Sequence, residues 1–194
     1  MSGLPALAKQ NNKEEIVRLL QKGADINEQN SNGYTALNYA CHENYTEILQ
    51  ILLKNNNINV NFQDTDGDSP FSNACLNDNY EIVSLMIQDP RVDINMADDI
   101  GWSPLMVACY YGSTKIVQLL LSFGRNIDIY KKSTKDYDDG ISIKSGSTAL
   151  DLAKQCNETD VVQLLQQYQN NPKETQKTTR NELNLKGKKN ENKI

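Results

Sequence analysis

The sequence predicts an all-α solenoid, a row of short helix pairs stacked side by side so that neighbours share one core. Three observations lead there. Gly33, Gly67 and Gly101 are spaced by 34 residues, and Gly146 follows after 45. Each is followed two positions later by a hydroxyl residue: Thr35, Ser69, Ser103 or Thr148. An apolar pattern of i, i+1, i+3, i+4 recurs five times along the chain. A fixed period of about 20–50 residues marks a repeat architecture, in which no unit buries its own apolar face and the units must stack.

Each element of the period has a physical reason. Thr35, Ser69, Ser103 and Thr148 stand where a first helix begins, and their hydroxyls cap free backbone N–H groups. Pro70 and Pro104 follow two of them, at the first helical position, where a missing N–H costs nothing. Asn44, Asp78, Gly112 and Asn157, with Asn12 in the first copy, sit where that helix stops, and these residue types best tolerate the left-handed conformation.

The second helix of each copy carries the apolar stripe. It reads Ile16, Val17, Leu19, Leu20; Ile48, Leu49, Ile51, Leu52; Ile82, Val83, Leu85, Met86; Ile116, Val117, Leu119, Leu120; and Val161, Val162, Leu164, Leu165. That spacing makes one broad face at the helical period.

The segments GYTALNYACHENYTEILQILL, GDSPFSNACLNDNYEIVSLMI, GWSPLMVACYYGSTKIVQLLL and GSTALDLAKQCNETDVVQLL resemble the ankyrin repeat, and QKGADIN at 21–27 resembles its closing turn. The resemblance covers roughly 4–168 in about five copies. It implies an ankyrin-repeat solenoid of helix–turn–helix pairs with short β-hairpin-like loops. The expected repeats are 4–29, 30–63, 64–97, 98–130 and 143–168, together forming a domain over 1–168. One departure stands out. The family's Thr-Pro-Leu-His tetrapeptide has Asn38, Ser72, Met106 and Asp151 in place of His, which predicts looser ties between neighbouring loops.

Two segments fall outside the period. Residues 130–144 are an insertion in which Asp139-Gly140 signals a hairpin turn, expected as an elongated, exposed finger. Residues 169–194 hold seven Lys/Arg against three Glu and almost no apolar residues, so a disordered basic tail is expected there.

Charge and composition narrow the function. The chain has 194 residues, a net charge of −5 and 38% hydrophobic residues. With the tail at +4, residues 1–168 carry −9, which argues against binding nucleic acid through the folded part. No run of 18 apolar residues exists to span a membrane. The N-terminal stretch lacks a basic segment followed by an apolar one, so a cytoplasmic protein is expected, with the nucleus open.

No catalytic or metal-binding constellation emerges. Cys41, Cys75 and Cys109 recur at 34-residue spacing in the same small-residue slot. Equivalent positions in stacked helices lie about 8–10 Å apart, beyond disulfide reach. A zinc site lacks both a CxxC pair and a second His. The run Asp64-Thr65-Asp66-Gly67-Asp68 begins like a calcium loop, but Ser69 and Cys75 stand where that loop needs Gly and Glu. Phosphate-binding glycine motifs are absent. Cys41 and His42 point about 100° apart on a helix, which excludes a nucleophile pair. Cofactors are therefore expected to be none, and the chain is expected to be no enzyme.

What the resemblance implies is protein binding through the concave face, formed by turn tips and the exposed ends of first helices. Carried over by register, the binding residues are Tyr34, His42, Glu43, Asp66, Asp68, Leu76, Asp99, Trp102, Tyr110 and Tyr111. The fourth repeat concentrates the sole Trp and two adjacent Tyr, residue types enriched in interface hot spots. Acidic neighbours suit a basic or mixed partner segment. The expected role is an adaptor, inhibitor or assembly chaperone acting as a monomer on one or more proteins. The alternative is an effector that an intracellular bacterium delivers to act on host proteins.

Overall fold

Four hydroxyl caps set the frame. Thr35, Ser69, Ser103 and Thr148 each accept a hydrogen bond from the backbone N–H three residues on, and each opens a helix. The computed structural model describes residues 3–184. First helices are α1 (Leu4–Lys9), α3 (Ala36–His42), α5 (Pro70–Leu76), α7 (Pro104–Tyr110) and α9 (Ala149–Gln155). Second helices are α2 (Lys13–Gln21), α4 (Thr46–Leu53), α6 (Tyr80–Met86), α8 (Thr114–Ser122) and α10 (Thr159–Asn170). The fold is thus the all-α solenoid of helix pairs that the period predicts.

Each pair turns on a residue at positive φ: Asn11, Asn44, Asp78, Gly112 and Asn157. In the first copy this is Asn11, not Asn12. Asn12 instead caps α2, its side chain accepting from the Glu15 N–H. First helices contact one another in series, as do second helices, and the first row packs the more closely. The stack therefore curves toward the first helices. The apolar stripes fill one continuous core, with Ile16, Ile48, Ile82, Ile116 and Val161 all fully buried.

The turns between pairs are also periodic. Asn30, Asp64 and Asp98 each accept, through Oδ1, the backbone N–H groups two and four residues ahead. This closes a tight finger whose tip holds Gly33, Gly67 or Gly101 at positive φ. A Cβ at Gly67 would lie 2.6 Å from the Asp99 backbone nitrogen, so only glycine lets adjacent fingers sit this close.

Below the fingers, Asn27, Asn61 and Asn95 form a ladder. Each donates from Nδ2 to a carbonyl of the next turn and accepts an N–H from it through Oδ1. Gln63 joins the same ties, its Nε2 donating to both the Gly67 and Ala97 carbonyls. Arg91 and Arg125 reach back to carbonyls at the C-terminal end of the preceding second helix. Loops lacking the family's His are therefore tied by Asn, Gln and Arg, contrary to the expected looseness.

Two further expectations are corrected. Residues 171–184 are not a disordered tail: Pro172–Glu182 form helix α11, which packs on α8 and α10. Its Arg180 donates to the Ser122 and Phe123 carbonyls, repeating at the end of α8 the role of Arg91 and Arg125. The helix is polar and buries only Thr175 and Thr179, which is why its sequence reads as unstructured. The rest of the expected tail, 185–194, lies outside the described residues.

The insertion does form a hairpin, but not an extended finger. Strands β1 (Tyr137–Asp138) and β2 (Ser142–Ile143) pair Tyr137 with Ile143 and Asp138 with Ser142. Ser133 and Gly146 close its base, where the Gly146 N–H donates to the Ser133 carbonyl and the Ser133 N–H to the Ser147 carbonyl. The Thr134 N–H then donates to the Ile100 carbonyl, as Thr65 does to Asn32. The fingers of Asn30, Asp64 and Asp98 belong to the second, third and fourth repeats, and the insertion is thus the finger of the fifth repeat lengthened at its tip. It folds back on the stack, leaving Ile143 fully buried.

Candidate functional site

The first-helix side of repeats 3 and 4 holds a cavity of about 430 Å³. One wall is the third finger, with Thr65, Asp66 and Asp68. A second is the fourth finger, with Asp98, Asp99, Ile100 and Trp102. The floor and far edge come from Leu76 at the end of α5, Val107 in α7, Tyr111 just after α7, and Tyr137 of the hairpin.

Six of the ten residues that register places on this face line the cavity: Asp66, Asp68, Leu76, Asp99, Trp102 and Tyr111. Tyr111 is half exposed. Asp66 and Asp99 are exposed, while Asp68 and Leu76 are half-buried. Tyr34, His42 and Glu43 lie one repeat away and form their own group. The Tyr34 ring sits 5.0 Å from that of Tyr39 and 6.3 Å from the His42 imidazole, and His42 Nδ1 lies 3.1 Å from the Glu43 carboxylate.

Trp102 and Tyr110 are not exposed anchors, as register alone suggests. They are 4% and 7% exposed. The hairpin accounts for this. Tyr137 lays its ring edge-on to Trp102 at 4.9 Å and to Tyr110 at 6.1 Å, and Trp102 and Tyr110 meet at 4.9 Å. Tyr110 also stands edge-on to Tyr111 at 5.1 Å, which holds the one open ring in place. Rings in this range pack favourably through their edges and faces. Asp139, next in the hairpin, accepts hydrogen bonds from both the Tyr110 and Tyr137 hydroxyls. The two buried aromatics form the floor that orients Tyr111 and Tyr137.

The electrostatics are one-sided. Asp66, Asp68, Asp98 and Asp99 line the cavity, and no Lys or Arg does. Burial, reinforced by Asp64, Asp98 and Asp66, pushes the Asp68 carboxyl up to about 6 although Ser72 donates to it. Burial also raises Asp98, against three backbone N–H groups that favour its charged form. Burial and the carboxylates of Asp64, Asp68 and Asp66 lift Tyr34 to about 12. Such shifts mark a negative field that lacks a counter-charge.

Among the described residues no three His, Cys, Asp or Glu side chains are placed to hold a metal ion. Cys41, Cys75 and Cys109 are free, buried thiols raised by desolvation, and Cys41 Sγ lies 3.2 Å from Met86 Sδ in the core. Cys156 is half-buried, and its thiol is raised rather than activated. Among the described residues no helix is long and apolar enough to cross a membrane.

Asp98, Val107 and Tyr137 line the cavity without having been singled out by sequence. Asp98 carried a signal, the 34-residue step from Asp64. Tyr137 carried none, because its place depends on which way the hairpin folds.

Comparison with known proteins agrees with the architecture. The family model described as ankyrin repeats (3 copies) matches residues 6–98 and again 74–178. No curated protein matches the chain.

Proposed function

Since the chain belongs to the ankyrin-repeat family, we propose that it is a non-enzymatic interaction module that grips one partner protein through the first-helix face of its stack. Ankyrin repeats are in general protein–protein interaction modules and are typically non-enzymatic. The observation that carries the reading to this face is Tyr111. It is the most exposed aromatic of that face, held at the rim of the cavity by a buried partner, Tyr110. A rigid, half-open tyrosine above an apolar floor is the arrangement of an interface anchor, since little conformational entropy remains to be lost on binding.

The proposed contact set is Tyr111, Leu76, Asp66, Asp68 and Asp99 at the centre, with Tyr34, His42 and Glu43 as an outer patch. Trp102 and Tyr110 support it from beneath. The module would serve as an adaptor, an inhibitor or an assembly chaperone.

The test is capture of partners from lysate of the source cells by wild type and by Tyr111→Ala/Leu76→Ala. Both replaced side chains are at least partly exposed, so the helical signal should hold. A partner lost by the variant supports the reading. Equal capture by both moves the binding surface elsewhere.

A further inference from the structure

The inserted hairpin does more than cover Trp102. It supplies Tyr137 as a wall of the cavity and, through Asp139, fastens that wall to Tyr110. Without the insertion the cavity would be an open notch between two fingers. With it, the notch is lined by aromatic rings and carboxylates together.

We propose that this cavity is a socket for an arginine side chain carried on an extended, basic segment of the partner, and that the hairpin is the wall that makes it one. The proposal rests on the reading of this face as the partner-binding surface.

Two independent features converge on that occupant. The first is charge: four aspartates line the space and no cation does. The second is the aromatic lining beside them, Tyr111 and Tyr137 with Trp102 beneath, whose rings favour a cation over a neutral or anionic group. A guanidinium fits both, because its plane stacks on an aromatic face while its edge forks to carboxylates. A lysine ammonium is more strongly hydrated and cannot fork. A metal ion fits less well, since no three carboxylates among the described residues are placed to ligate one.

Binding should also answer to pH. Asp68 faces Asp64 and Asp66 on its own finger, Asp98 on the next, Ser72 on α5, and the hydroxyls of Tyr34 and Tyr111. With its carboxyl near 6, acidification discharges it and removes part of the attraction.

Trp102 is the only tryptophan in the 194 residues, so its emission reports directly on the socket. The experiment titrates the full chain with three blocked peptides, Gly-Arg-Gly-Arg-Gly and its lysine and citrulline counterparts. Citrulline keeps nearly the shape of arginine but is neutral, with an accepting carbonyl oxygen in place of one donating nitrogen.

The expected result is a saturable emission change with the arginine peptide, about tenfold weaker binding of the lysine peptide and none of the citrulline peptide. Asp68→Asn/Asp99→Asn and, separately, Tyr137→Ala should each weaken the arginine peptide about tenfold. Asp25→Asn, outside the cavity, should leave it unchanged. Affinity should fall several-fold from pH 7.5 to 5.5.

Equal binding of arginine and citrulline peptides, or no saturable change with any, overturns the socket. Should the peptides fail while the captured partner still depends on Tyr111 and Leu76, the interaction module stands and the arginine socket alone falls. Should both fail, the face itself is wrong.

Discussion

The Tyr110 hydroxyl donates to the carboxylate of Asp139, 29 residues further along the chain, and so latches the inserted hairpin to the end of a first helix. The bond lowers the Asp139 carboxyl below its ordinary value, the Tyr110 contact being the largest cause. A lowered folded value means that the latch is fully present above the ordinary carboxylate range and is lost as pH falls through the lowered value. Tyr110→Phe keeps the ring and removes the donor. Amide exchange in 137–143 should quicken several-fold while the helical signal stays unchanged. Exchange that stays slow would show that ring packing alone holds the hairpin.

Asp68 offers a test with a definite sign. Its folded value, about 6, lies above the unfolded one, so the folded chain binds the extra proton. Its favourable contribution is therefore complete below about pH 4 and disappears as pH rises through 6. Asp68→Asn should stabilise the chain by about 1 kcal/mol at pH 7.5, and the gain should vanish near pH 4. The same change is expected to weaken partner binding, which sets stability against function at one residue. Urea denaturation at the two pH values checks it.

The ladder asparagines are predicted to matter beyond their exposure. Asn61 donates to the Arg91 carbonyl at 2.9 Å and accepts from the Asp93 N–H at 2.9 Å, tying the second turn to the third. Asn61→Ala removes both bonds and should cost about 1–2 kcal/mol in denaturation. Since coupling between repeats makes the transition single, the variant should also broaden it.

Much of this architecture was legible from local chemistry. Thr35, Ser69, Ser103 and Thr148 announce the first helices because a cap is decided within four residues. The stripes from Ile16 to Leu165 announce the stack because a helix period is equally local. What stayed hidden depended on distant contacts. Trp102 and Tyr110 occupy slots that register reads as open, and the fold-back of Tyr137 against both rings helps to cover them. Helix α11 hides because it buries two threonines instead of an apolar stripe. Asn27, Asn61 and Asn95 do recur at 34-residue steps, yet the spacing alone does not say that they bridge turns.

Arg180 is expected to hold α11 in place. It reaches the carbonyls of Ser122 and Phe123, and Ser122 is fully buried, so these charged bonds are partly shielded from water. Arg180→Ala should cost about 1 kcal/mol and speed amide exchange in 172–182 about tenfold. Helices α1 to α6 should keep their protection. Uniform loss along the chain would mean that α11 is an integral part of the stack and not a cover on its end.

The central claim is that the first-helix face, with its hairpin wall, is where a partner sits. Hydrogen-exchange footprinting of the chain with and without its captured partner tests it most directly. The account predicts new protection confined to Tyr34, His42, Glu43, 65–68, Leu76, 98–102, Tyr111 and 137–143. Protection on α2, α4, α6 and α11 instead, with those fingers and the hairpin unchanged, would contradict it.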